Sequence, residues 1–298
     1  MKRCTDSLRR PTGLMVGFLA PATLLFLVFF IYPLIQVIWI SFHSGNVASE
    51  KLKWAGTANY RHLVNDSVFW WMLRNTLKVV VIGGGATLVL ALATAVGLTK
   101  INRGRTFFRT VFLFPNIMSA VATAVLWSFI FNPSFGIVNG LLRSLKLEHL
   151  THAWLGEPGT ALPVVILVHI WTIAGFYIVL FYAGLLRIPE DYSEAARIDG
   201  ASAWQEFRHI TLPLLSDISK IATIYVIINS VNIFALVYLL NEGRAARYNG
   251  VLLTYMYEQA FENGHYGYAC AIGVMTLITV LVCAGLVSLL FRTDTVEA

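Results

Sequence analysis

The chain has 298 residues, of which 57% are hydrophobic and only 13% charged, with a mean hydropathy of +0.68 and a formal net charge of +6. A soluble globule of this size has too much surface for so few charges to cover, and a chain so rich in apolar side chains is not intrinsically disordered. Cys4, Cys270 and Cys283 stand far apart with neither metal-ligand nor disulfide-framework spacing, and in so hydrophobic a chain the basic excess points to lipid rather than nucleic acid.

Six stretches contain no Asp, Glu, Lys or Arg: Pro11–Ser49, Val79–Thr99, Thr110–Leu142, Pro158–Leu186, Ile221–Asn241 and Asn263–Phe291, the shortest of 21 residues. A bilayer span needs about 20. Each stretch therefore predicts one transmembrane helix, and the fold class is all-α, a polytopic bundle of six, since only helices and closed barrels satisfy their backbone in hydrocarbon. The alternating ten-residue segments of a barrel do not occur.

In chain order, Leu14–Phe42 follows a basic cluster but is too long for a signal-peptide core and has no cleavage site. It reads as a retained helix, kinked at Tyr32-Pro33. The second span carries Gly83-Gly84-Gly85 and Ala91/Ala95, which suit close helix packing better than a hinge. The third holds Pro115-Asn116, Ser119, Thr123, Trp127 and Ser128; the fourth His169, Trp171, Thr172 and Tyr177; the fifth Asn229, Ser230 and Asn232. Amides and hydroxyls at membrane depth face the bundle interior or a wet cavity. Asn229 and Asn232, three apart, share a face. Hydrogen bonding between helices and ligand contact are both open to them, and His169 reads as a packing residue.

No span has an ionisable residue in its middle; Lys220 stands at the edge of the fifth. That inventory disfavours proton coupling and an anionic substrate such as glycerol 3-phosphate, leaves sodium coupling open, and suits a neutral polyhydroxylated solute best. Sugars want amides and hydroxyls beside an aromatic platform. Trp171, Tyr177, Asn229, Ser230 and Asn232 supply both and are the candidate substrate contacts. A membrane-embedded enzyme would have to use His169 with Ser119 and Ser128, and no carboxylate is present to orient the histidine. No catalytic residue, metal or cofactor is expected.

With the N-terminus cytoplasmic, thirteen Lys and Arg residues fall in inside segments and nine outside, the tightest clusters flanking the first three helices. The organisation is then a cytoplasmic segment 1–13, a six-helix domain 14–291 with a cytoplasmic loop 187–213, and a cytoplasmic tail 292–298. In that loop Pro189 suits a first helical position, Glu190 and Asp191 the first turn, and Gly200 a left-handed C-terminal cap. Ser202-x-x-Gln205 is a capping box for a second helix, which Pro213 ends. Ala195 and Ala196 predict a bare surface for close approach of another protein, with Ile198, Trp204 and Phe207 as anchors.

Glu194-Ala195-Ala196, Asp199-Gly200-Ala201 and Ile210-x-Leu212-Pro213 resemble the EAA loop of binding-protein-dependent ABC importer permeases. Asn59-Tyr60, Phe107-Phe108-Arg109-Thr110, Phe131-Asn132-Pro133 and Tyr266-Gly267-Tyr268-Ala269 are similar to the sugar subfamily, and most of all to the first permease of maltose and glycerol-phosphate systems. Asp217 and Asn241–Arg247 depart from the family pattern. The resemblance implies a type I importer permease paired with a second, homologous permease over an ABC ATPase dimer. Glu194, Ala195, Ala196, Asp199, Gly200, Leu212 and Pro213 would dock in an ATPase cleft, and an extracytoplasmic sugar-binding protein would deliver the solute. Tyr177 and the Asn-Ser cluster match the helices that form the maltose-type site. The chain itself has no GxxxxGK[ST] sequence, so ATP hydrolysis falls to a separate subunit of the inner-membrane complex.

Overall fold

A computed structural model describes residues 12–45, 52–101, 103–241 and 248–291. The basic residues at 2–10, Cys4, residues 242–247 and the tail from Arg292 lie outside the described residues.

Helix α1 runs Thr12–Phe26, widens through a π-helical turn at Leu27–Ile31, and continues as Tyr32–Ile40. Pro33 has no N–H to donate. The ladder is rethreaded just ahead of it, with the Tyr32 N–H reaching the Leu27 carbonyl, so the expected kink is absorbed as a π-turn. The apolar stretch Gly17–Ile40 is unburied by the rest of the chain.

A two-residue antiparallel pairing of β1 (His43–Ser44) with β2 (Lys53–Trp54) leads to α2 (Ala58–Asn65). Helix α3 spans Ser67–Thr99, 33 residues with its own π-turn at Val79–Gly84. It starts a full three turns ahead of the charge-free run because Asp66 caps it, accepting the Val68 N–H at 2.8 Å.

The run Thr110–Leu142, expected as one straight span, is instead α4 (Arg105–Ile117) and α5 (Ala120–Ile130), bent by 96°, followed by the short α6 (Ile137–Ser144). Met118 and Ser119 take extended backbone, with ψ of 143° and 150°. The Ser119 hydroxyl accepts the Ala122 N–H at 3.2 Å, so a residue expected to face a cavity from mid-helix is the cap that opens a new one.

The remaining elements are α7 (Ala161–Leu185), α8 (Glu190–Ile198), α9 (Ala203–Glu206), α10 (Ser216–Leu240), α11 (Leu252–Tyr257) and α12 (Tyr266–Leu290). Five described helices are long and apolar enough to cross a membrane, six with the bent pair.

Helices α3 and α7 run side by side in the same direction. Ala91 and Ala95, both fully buried, let Ile173, Tyr177 and Phe181 close onto α3. A Cβ at Gly175 would run into the Phe112 carbonyl, so α4 crosses α7 there at backbone contact. The second half of α10 packs Leu236 and Val237 onto Ala124 and Phe131 of α5 and its end. In the glycine triplet, Gly84 lies against Val226, whose methyl would stand 3.3 Å from an added Cβ, and Gly83 lies against Ile166. The triplet thus serves close packing, apart from Gly85, which meets open space.

Candidate functional site

The loop between α7 and α10 folds as the sequence predicts, with three adjustments. Helix α8 begins at Glu190, with Pro189 as its N-cap and not its first helical residue. Gly200 adopts φ +78°, and the Gly200 and Ala201 N–H groups donate to the Arg197 and Ala196 carbonyls at 3.1 and 2.9 Å. This is the glycine-terminated cap that a left-handed residue permits. Ser202 and Gln205 close the capping box from both directions.

Pro213 does not end the second helix. From α9 the chain passes through a π-turn at Phe207–Thr211 into Leu212–Leu214, and the break falls at Leu215. Ala196 is buried and only Ala195 of the pair is exposed, which corrects the expected two-alanine bare surface: α8 turns Ala196 inward under its own cap.

What the loop does expose is apolar. Ile198 is 86% and Trp204 65% exposed, and Leu212 is also exposed. Glu194, Asp199 and Gly200 lie on the exposed surface beside them. Trp204 and Phe207 hold each other at 5.7 Å between ring centres. The end of the loop packs onto the bundle: Leu215 is fully buried and, with Ile218, fills the space a side chain at Gly184 would take.

Helices α7 and α10 carry the candidate substrate contacts, and the structure sorts them into three groups. Tyr177 and Asn229 meet: the Asn229 amide donates to the Tyr177 hydroxyl at 3.1 Å and to the Tyr225 carbonyl at 3.0 Å. Ser230 is fully buried and bonded to His169 Nε2 at 3.1 Å, which gives His169 the packing role expected of it. Trp171 lies elsewhere. Six residues before Tyr177, it points about 120° away around the helix. It packs edge-on against Trp127 at 5.4 Å and lines an apolar groove of about 920 Å³ with Phe112, Pro115 and Ile178. Near it, Thr123 Oγ1 and Trp127 Nε1 are buried without a hydrogen-bond partner among the described residues.

Asn232 sits at the break in α10, its amide on the Ile228 carbonyl at 3.0 Å. Together Tyr225, Ile228, Asn229 and Asn232 make an exposed stripe along α10, with Phe176 stacked on Tyr225 at 5.9 Å.

At the opposite end of the bundle stands a cluster that the sequence reading did not single out. The Asp66 carboxylate accepts the hydroxyls of Tyr255 and Tyr268, both at 2.5 Å. Partial burial alone would raise its pKa, but the two hydroxyls and the backbone N–H groups of Val68 and Phe69 outweigh that and hold it below the ordinary carboxylate value. Burial and the adjacent carboxylate push the Tyr255 phenol well up. Asn75 adds bonds to the Tyr248 and Gly250 carbonyls at 3.3 and 2.9 Å, and the Thr76 hydroxyl accepts the Leu252 N–H at 3.0 Å. An Asp placed just before a helical run signals a cap, but nothing local announces partners 189 and 202 residues away.

A helical bundle of bilayer-length spans, with an exposed two-helix knob between the two helices that carry its polar residues, has the build of a membrane translocation subunit. The chain belongs to the family of binding-protein-dependent transport system inner membrane components, matched over residues 87–293, and is the permease component of an ABC importer. It is 34% identical to a probable ABC transporter permease of Bacillus subtilis, over 94% of this chain and 96% of that one. It is 32% identical to the diacetylchitobiose uptake system permease of Streptomyces coelicolor, over 93% and 82%. A chain in the crystal structure of a bacterial ABC transporter that imports the acidic polysaccharide alginate superposes with a TM-score of 0.77 at 25% identity, covering 95% of this chain and 96% of that one. The resemblance read from the EAA-like loop is thus borne out at the level of fold and family.

Proposed function

We propose that this permease moves a neutral sugar or oligosaccharide across the cytoplasmic membrane by alternating access. In this reading it pairs with a second, homologous permease above a separate ABC ATPase dimer and receives its solute from an extracytoplasmic binding protein. Both termini are cytoplasmic, as the Lys and Arg distribution favours, so the knob faces the ATPase. Closure of the ATPase dimer pushes on Glu194, Ala195, Asp199, Gly200 and the Leu212-Pro213 segment. The Gly184–Leu215 contact passes the push to α7 and α10, and the faces that carry Tyr177, Asn229 and Asn232 turn from one side of the membrane to the other.

The observation that carries the sugar reading is the exposed, uncharged stripe of Tyr225, Asn229 and Asn232, with the Asn229 amide bonded to the hydroxyl of the fully buried Tyr177 beneath it. Amides and a phenol next to the stacked rings of Phe176 and Tyr225 match a solute with hydroxyl rims and apolar faces. The sugar-transporting relative supports the same class. The alginate importer's solute is acidic, whereas here the stripe offers no cation. Trp171 and Ser230 belong to the proposed contacts only if the cavity reaches behind the stripe.

The test is transport in proteoliposomes. Tyr177→Ala and Asn232→Ala should cut uptake about tenfold, the loss of one or two well-placed contacts, while ATP hydrolysis stimulated by the binding protein continues. Parallel loss of uptake, hydrolysis and assembly would make these residues structural.

A further inference from the structure

Beyond the stripe lies a second feature, which neither the coupling knob nor the candidate contacts use. Five aromatic rings follow one another across three elements. Phe234 stacks on Tyr238 at 5.4 Å, both meet Tyr257 at 5.3 and 5.0 Å, Tyr257 meets Phe261 at 4.9 Å, and Phe261 meets Tyr266 edge-on at 6.3 Å. The series starts two residues past Asn232 and ends where α12 begins, at the Asp66 end of the bundle.

We propose that Phe234, Tyr238, Tyr257, Phe261 and Tyr266 form a stacking track along which a neutral carbohydrate travels from the mouth of the permease to the Asn232 end of the polar stripe. The inference rests on the sugar reading above.

Three observations carry it. None of the five rings joins a buried apolar cluster of the described residues; four are half-buried and Phe261 is 66% exposed, so part of each ring stays open. An aromatic belt that anchors a protein at the membrane surface lies in the plane of the interface. This series instead climbs α10 from Phe234 to Tyr238, about 6 Å along the axis, before crossing to α11. Finally, no Lys or Arg occurs from 248 to 291, while the exposed Glu262 and the phenols of Tyr238 and Tyr257 border the rings. Sugars bind where aromatic faces meet hydroxyl and carboxylate acceptors. A run of equivalent faces lets a ring shift from one to the next without passing through bulk water.

The measurement is the number of sugar molecules imported per ATP hydrolysed. It uses the full importer with its binding protein in proteoliposomes and a radiolabelled panel of glucose, xylose, maltose, maltotriose and N,N′-diacetylchitobiose. Tyr257→Leu and Phe261→Ala should lower the ratio about fivefold for whichever sugar the wild type imports, the worth of one aromatic contact. Tyr257→Phe and Phe261→Tyr should preserve it. An unchanged ratio in the Leu and Ala variants, or a parallel fall of uptake, hydrolysis and co-purified second permease, overturns the track. Wild-type importer that takes up none of the panel overturns the sugar reading and the track with it. A lowered ratio in the track variants beside a normal one in Tyr177→Ala and Asn232→Ala upholds the track and rejects the stripe.

Discussion

The two ends of the bundle are built on opposite principles. At the Gly200 end a short helix, a left-handed glycine and a second short helix expose Ile198 and Trp204, and the one described ion pair there is the loose Arg197–Glu206 contact at 4.0 Å. At the Asp66 end polar side chains turn inward onto partners far away in sequence: Asp66 on Tyr255 and Tyr268, Asn75 on Gly250, and Asn59 on the Ser41 and His43 carbonyls at 2.7 and 2.9 Å. The first end leaves apolar surface exposed, where the proposed ATPase contact would fall, and the second turns its polar groups on itself. A lever needs both: one end must be gripped from outside, and the helices it turns must be clamped so that they move as a body.

The comparison breaks most sharply at Gly200. Gly200→Asp places a side chain at φ +78°, where no steric clash awaits it but the backbone is strained. Either this change or the charge reversal Glu194→Lys should abolish uptake and ATPase co-purification while the protein stays in the membrane; normal uptake by Gly200→Asp would end the docking assignment. Reporter fusions test which end is which. Alkaline phosphatase joined after Arg292 should be inactive and joined within residues 50–65 active, and the reverse pattern would put the knob where no ATPase could reach it.

Gly175→Val attacks the packing between the ends. Its side chain would collide with the Phe112 backbone, and overpacking of about 1–3 kcal/mol or more should reduce the amount of folded protein recovered in detergent. Full recovery would show that the α4–α7 crossing can slide.

Asp66→Ala should cost about 2 kcal/mol through two orphaned hydroxyls and a lost cap, read as a lower thermal inactivation midpoint with the knob still able to bind ATPase. Because the folded carboxyl titrates below its ordinary value of 3.8, its contribution is complete above that pH and is lost as pH falls through the folded value. The gap between wild type and Asp66→Ala should therefore be constant at neutral pH and close only in strong acid. A gap that closes between pH 6 and 7 would point to a different titrating group.

The spans and the knob could be read from sequence because their causes are local. A run without charges, a capping box at Ser202 and a glycine after Asp199 each act within a turn or two, and the helix ladder closes over four residues. The same locality explains what was misplaced by a few residues. Pro189 and Pro213 mark a helix boundary without saying on which side of it they lie, and the inward turn of Ala196 depends on the cap that follows. The bend at Met118 also had a signal, a serine fit to cap a helix three residues past Pro115-Asn116, but hydropathy alone reads straight through it.

Only the tertiary structure decided which polar groups meet. Trp171, Tyr177, Asn229, Ser230 and Asn232 could be recognised as the right chemistry at the right depth. Yet whether Tyr177 finds Asn229, whether Ser230 is already taken by His169, and whether Trp171 turns toward Trp127 depend on how far α7 and α10 are rotated about their own axes. That rotation is set by close contacts such as Gly175 on Phe112 and Gly184 on Leu215, each between residues distant in the chain, and one residue of register turns a side chain by about 100°. Composition and spacing determined that the chain is a bundle of membrane helices with an exposed two-helix loop; the packing of small residues between those helices decided where its polar atoms point.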